Sequence, residues 1–255
     1  MRTGADRIAG RRSGWHGFER IDFRIGDADA LVVLPSAPRS DGAWIQRAEF
    51  FDHRPELDLA LLARGFNLGY VHVGNTFGCP SAMRIWERFH DRLASVGLSR
   101  RPVLEGLSRG GLYVHNFAAA NPHRVGCILG DNPVCDFKSW PGGKGVGPGS
   151  PPDWRKMLVD YGFRDESEAL AYRGNPVDTL GPVARARVPV IHVAGDADEG
   201  VPFAENSRLL IERYRALGGP ARTIVRSGYK HHPHGLDDPS QLVGWIENAV
   251  EGRWR

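Results

Sequence analysis

Cysteine is scarce in this chain, with three among 255 residues, at positions 79, 127 and 135. An odd number at irregular spacing argues against both a disulfide framework and a zinc ribbon. Cys127 lies in an apolar run and reads as a core thiol; a Cys127–Cys135 bridge is open but unsupported. No apolar run approaches the roughly 20 residues needed to span a bilayer, so no membrane association is expected. The first twelve residues are basic without an apolar segment, so no signal peptide is read. A cytoplasmic location is expected, or a secreted or periplasmic one should a leader have been removed. Neither sign of charge dominates: 33 Lys and Arg stand against 30 Asp and Glu, a net charge of +3. That small excess is dispersed and accompanies no groove-reading motif, so no nucleic-acid partner is expected. Internal repeats are absent. Gly143-Lys144-Gly145 lacks the Gly-Lys-Ser/Thr spacing of a phosphate loop, and no cofactor is expected.

What is present is ordinary for a globular protein, 41% hydrophobic and 25% charged, at a length suited to one compact α/β domain over residues 1–255. Strand and helix signals alternate. Two early strands, Glu19–Ile25 and Ala30–Leu34, flank a Gly26-Asp27 turn, and a third begins at Trp44–Gln46. A short helix over Leu57–Ala63 precedes a fourth strand, Asn67–Val73. Ser81–Val96 is helical, with Met83, Trp86, Phe89, His90 and Leu93 recurring every three to four residues. Further strands fall at Pro102–Leu104, Val125–Leu129, Val188–Ala194 and Arg222–Val225. Helices are expected over Leu112–Ala120 and Ala204–Leu217, and around Leu242, Trp245, Ile246, Ala249 and Val250. This alternation predicts an α/β fold with a mostly parallel sheet, antiparallel at the edge where the first strands join by a tight turn. Residues 136–187 interrupt the pattern. They open on a run rich in Gly and Pro and read as an insertion capping the sheet edge.

Gly106-Leu107-Ser108-Arg109-Gly110-Gly111 sits where a strand gives way to a helix. A serine between two glycines at such a turn is the pattern of a nucleophile elbow. Glycine suits the flanking positions because the turn leaves no room for a Cβ. A serine hydroxyl needs a base, and the base needs a carboxylate to fix its tautomer. Two later segments offer them, each following a strand: Gly195-Asp196-Ala197-Asp198-Glu199-Gly200-Val201-Pro202 and Gly228-Tyr229-Lys230-His231-His232-Pro233-His234. The order Ser, Asp, His and the placement at carboxyl ends of strands are mutually consistent. His231, His234, Asp237 and Asp238 also offer metal-ligand types. They lack a helical His-x-x-x-His or other standard spacing, so no metal site is expected.

On these motifs the chain resembles the α/β-hydrolase superfamily over nearly its whole length. The resemblance implies Ser108 as nucleophile, Asp198 as the acid and His231 as the base, with His234 and then His232 as alternatives. Asp196 is set aside as a loop-capping residue. The oxyanion hole would use the backbone N–H of Arg109. A second donor would come from the loop Arg47-Ala48-Glu49-Phe50-Phe51, on the backbone of Glu49, with Ala48 and Phe50 close behind. Arginine directly after the serine resembles glucuronoyl esterases; the plainer reading is an Arg109 paired with Asp131 or Glu105. The wider pattern is similar to bacterial carbohydrate-esterase and prolyl-oligopeptidase-like hydrolases. It implies cleavage of a small-molecule or carbohydrate ester, with a serine peptidase as the alternative and a non-catalytic binding protein behind both. Trp140 and Lys138 are the candidate substrate-binding residues, Trp140 by stacking on a sugar and Lys138 by meeting a carboxylate. Oligomeric state is left open.

Overall fold

The computed structural model describes residues 4–254. Nine strands form one sheet: β1 Arg11–Trp15, β2 Phe18–Ile25, β3 Ala28–Leu34, β4 Trp44–Ala48, β5 Asn67–Val71, β6 Val103–Leu107, β7 Cys127–Asp131, β8 Val190–Gly195 and β9 Ala221–Arg226. Their spatial order is β1-β2-β3-β5-β4-β6-β7-β8-β9. The pairings β1–β2, β2–β3 and β3–β5 are antiparallel, and all others are parallel. The expected antiparallel edge is present and one strand wider than the sequence suggested. The additional strand, β1, has a largely exposed Arg-Arg-Ser-Gly-Trp sequence. Cross-strand ion pairs Arg11–Asp22 and Arg12–Glu19 lie along it, and no hydrophobic alternation announces it.

The helices are α1 Glu56–Ala63, α2 Pro80–Ser95, α3 Gly110–Ala120, α4 Pro151–Tyr161, α5 Glu166–Ala171, α6 Leu180–Arg185, α7 Ser207–Ala216 and α8 Ser240–Val250. Side chains of β3 show why the layers separate. Ala30, Val32 and Leu34 join a core with Trp86 and Phe89 of α2, Phe117 of α3 and Leu210 of α7. Leu31 and Val33 point the other way, into a core with Leu57 and Leu61 of α1 and Leu242 and Ile246 of α8. Period-two alternation thus feeds two hydrophobic layers from one buried strand. Residues 136–187 supply Phe137, Trp154, Met157, Ala169 and Val183 to the α3 layer, with α6 against α3 and α7. The segment is therefore continuous with one helical layer. All three cysteines are free and buried, so the Cys127–Cys135 bridge is absent and Cys127 is the core thiol expected.

Candidate active site

The turn between β6 and α3 holds Ser108 at φ +49°, in the left-handed region that side chains seldom occupy. Close approaches explain the flanking glycines. A Cβ on Gly106 would come within 2.5 Å of the Gly110 carbonyl oxygen, and one on Gly110 within 2.7 Å of the Ala48 oxygen. The serine backbone is pinned on both sides. Its N–H donates to the Asp131 carbonyl at 2.9 Å, and its carbonyl accepts from Val134 at 2.8 Å and Gly111 at 3.0 Å.

The loops after β8 and β9 meet this turn. Ser108 Oγ lies 2.9 Å from His231 Nε2, and His231 Nδ1 lies 2.6 Å from Asp198 Oδ2. The other oxygen of Asp198 accepts the Gly200 and Val201 N–H groups at 2.9 and 2.8 Å. That carboxyl is 1% exposed, whereas the imidazole is 19% exposed. The Asp198 carboxyl is thus fixed and dry, and the His231 imidazole is partly exposed. With the Nδ1–H donating to Asp198, the Nε2 lone pair faces the hydroxyl, the tautomer a general base needs. Asp196 Oδ1 accepts from Gly228 N at 2.6 Å, the loop-tying role expected of it. His234 is buried, with Nδ1 3.2 Å from Asp131 Oδ1, and His232 is exposed. The structure therefore brings His231 to the serine ahead of both alternatives.

Asn132 escaped the sequence reading. Its Oδ1 accepts from Gly195 N at 2.8 Å and its Nδ2 donates to the His231 carbonyl at 2.9 Å. One side chain ties the strand that carries the acid loop to the loop that carries the base. No motif marks it, because its partners come from separate strands.

The segment after β4 differs from expectation in two ways. Arg47 and Ala48 are strand residues, with Ala48 opposite Gly106 in the parallel pairing; the loop starts at Glu49. There the chain turns sharply, with φ +62° at Glu49 and +47° at Phe50, which sets this loop against the elbow. Arg109 pairs with neither Asp131 nor Glu105: its Nε donates to Glu49 Oε2 at 3.1 Å. The guanidinium also lies over the Phe50 ring at 4.8 Å. Burial pushes the Glu49 carboxyl above its ordinary range, and the Arg109 charge opposes that rise.

Lys138 and Trp140 each have partners of their own. Lys138 Nζ donates to the Tyr172 carbonyl at 2.9 Å, beside a cavity of about 430 Å³ that it shares with Ser139, Lys144 and Glu205. Trp140 packs on Phe77, with ring centroids 6.2 Å apart. Both lie in the segment 136–187, whose large side chains pack into the α3 layer. Asp237 and Asp238 also point to separate tasks. Asp237 pairs with Arg54 at 2.9 Å, and Asp238 accepts from Ser240 N at the start of α8.

Sequence comparison against protein-family models and curated proteins gives no match. Solved structures do match. Dipeptidyl peptidase 4 of Porphyromonas gingivalis superposes with a TM-score of 0.68 at 14% identity, over 92% of this chain and 35% of that one. A puromycin-hydrolyzing peptidase of Mycobacterium tuberculosis gives 0.68 at 16%, over 94% and 38%. An acylaminoacyl peptidase in complex with Z-Gly-Gly-Phe-chloromethyl ketone gives 0.67 at 15%, over 93% and 41%. The chain thus spans less than half the length of each. No helix among the described residues is long and apolar enough to cross a membrane. With its mixed nine-stranded sheet, flanking helices and these superpositions, the chain has the α/β-hydrolase fold.

Proposed function

We propose that the protein is a serine hydrolase that works through an acyl-enzyme, with peptides or other aminoacyl compounds as its substrate class. The observation that carries this reading is the hydrogen-bonded chain from Ser108 Oγ to His231 Nε2 and from His231 Nδ1 to Asp198. Ser108 attacks the acyl carbon as His231 takes its proton. His231 then protonates the leaving group, and water attacks the acyl-enzyme with the same base assisting. Asp198 holds the ring and stabilises the imidazolium. The developing oxyanion is received by the backbone N–H of Arg109, with that of Glu49 as the second donor. The Ala48–Gly110 approach, which seats the Glu49 turn on the elbow, supports that pairing.

The choice of acyl group rests on the neighbours. All three structures named above are peptidases, which favours an aminoacyl carbonyl over a carbohydrate ester. Lys138 bonds the Tyr172 carbonyl and Trp140 packs on Phe77, so neither adds separate support to a sugar-binding reading. The test has two arms. A fluorophosphonate probe should label the wild-type chain and leave Ser108→Ala unlabelled but folded. Aminoacyl and dipeptidyl anilides should then be turned over faster than acetylated, feruloylated or methyl-uronate sugars. Equal labelling of Ser108→Ala would overturn the nucleophile, and exclusive turnover of the sugar esters would overturn the substrate class.

A further inference from the structure

Three histidine side chains cluster where the proposed reaction uses only one. His231, His232 and His234 come from a single four-residue stretch, and each pair of rings lies edge to face with centroids 4.9 Å apart. One donor atom from each ring lies within 4.8 Å of the other two. His53, from the loop after β4, packs on His234 at 6.0 Å.

Two of these rings are held as metal-ligating histidines usually are. Such a ring commonly gives its second nitrogen to a carboxylate, which fixes its orientation and leaves the other nitrogen as a donor. His231 Nδ1 is on Asp198 at 2.6 Å, and His234 Nδ1 is on Asp131 at 3.2 Å. The loop backbone is anchored as well. Asn132 holds the His231 carbonyl, Arg226 Nη1 donates to the Pro233 carbonyl at 2.8 Å, and Asp131 accepts from Gly235 N. Nitrogen ligands on a tetrahedral zinc ion, at about 2.0–2.1 Å from the metal, lie roughly 3.4 Å from one another. Rotation of the exposed His232 side chain is the natural way to close the remaining distance. Imidazole donors with carboxylates behind them select a borderline cation, zinc above calcium or magnesium.

We propose that His231, His232 and His234 form an inhibitory site for a zinc-class divalent cation. This inference rests on the reading of His231 as the general base. The cation takes the Nε2 lone pair of His231, which Ser108 otherwise uses. Metal binding and removal of the serine proton are therefore mutually exclusive. The carboxylates of Asp131 and Asp198, behind two of the rings, offset the charge of the cation. The motif is invisible to a search for helical ligand spacing, because His-His-Pro-His forms the site from a loop.

The experiment uses the untagged full chain, Zn²⁺ in chelator-free buffer, and the variant His232→Ala, whose altered side chain is exposed. By calorimetry the wild type should bind zinc and His232→Ala should bind it about 10-fold more weakly or worse. Zinc should slow fluorophosphonate labelling of Ser108, EDTA should restore it, and the zinc concentration giving protection should rise in parallel in the variant. Labelling without zinc should match between the two proteins. Equal zinc affinity in both, or zinc bound without protection of Ser108, would overturn the site. A wild type that never labels would overturn the hydrolase reading, and the calorimetric comparison would still decide the zinc site.

Discussion

Arg47 is a charged side chain with no exposure at all, in the middle of a sheet. Its guanidinium bonds the Asp58 carboxyl of α1 and the His53 carbonyl, and lies 3.6 Å from Glu105 Oε2 on β6. Burial, with Asp58 close by, pushes Glu105 well above the usual carboxylate range. Arg47 is thus a cation that compensates a buried acidic pair, Asp58 of α1 and Glu105 on the elbow strand itself. Removing it leaves acids without a counter-charge, the situation in which breaking a buried pair costs about 3–5 kcal/mol. Arg47→Met should lower unfolding stability by about that amount in urea titrations. A loss below about 1 kcal/mol would mean that the acids are satisfied without it. The sequence reading began the loop at this residue; arginine is so seldom fully buried that its type gives no hint of a central-strand position. The triad side chains were easier to read, since their residue types, glycine context and order are dictated by chemistry. The partner of Arg109 was not legible, because Glu49 is 60 positions away in sequence.

At the level of elements, the carboxyl ends of β6, β7, β8 and β9 converge, and each delivers one part of the site. Strand positions could be read from apolar runs and glycine breaks, as the central strands were. β1 could not, since an exposed edge strand needs no hydrophobic face. Nor could Asn132, whose two partners depend on which strands become neighbours. Its bonds to Gly195 N and to the His231 carbonyl make it a positioning residue for both loops. Asn132→Ala should reduce kcat about 10- to 100-fold with KM little changed, because the groups touching substrate remain and only their alignment is lost. Asn132→Asp keeps the acceptor for Gly195 N and loses the donor to His231, so it should recover only part of that rate. Wild-type kcat in the alanine variant, on the best anilide of the substrate panel, would show that the loops hold themselves in place.

Across the whole molecule, buried histidines link the sheet to one helical layer. His90 of α2 has Nε2 2.5 Å from Gln46 Oε1 on β4. His115 of α3 meets His192 of β8 through their Nε2 atoms at 3.2 Å, and His192 Nδ1 lies 3.1 Å from Ser207 Oγ on α7. The Nε2–Nε2 bond needs a proton on one ring and a lone pair on the other. Burial lowers His90 and His115 to about 3 and holds His192 well below the ordinary histidine range. In the unfolded chain the same rings titrate at about 6.5. Below that pH the unfolded state binds more protons than the native state, so stability falls as pH falls, over the window from about 6.5 down toward 3. By pH 5 His90 and His115 each remove up to about 2 kcal/mol relative to pH 8, up to about 4 kcal/mol together, and His192 acts in the same direction. Against a typical total of about 5–15 kcal/mol, that is enough to bring unfolding into mildly acidic solution. Urea titrations followed by tryptophan fluorescence should show stability constant from pH 8 to 7 and dropping steeply between pH 6 and 5. His115→Leu, which removes one of the three titrating rings, should flatten that limb by close to one proton. A stability unchanged from pH 7 to pH 5 would mean that the native layer accommodates these rings charged, and that they do not set the acid limit of the fold.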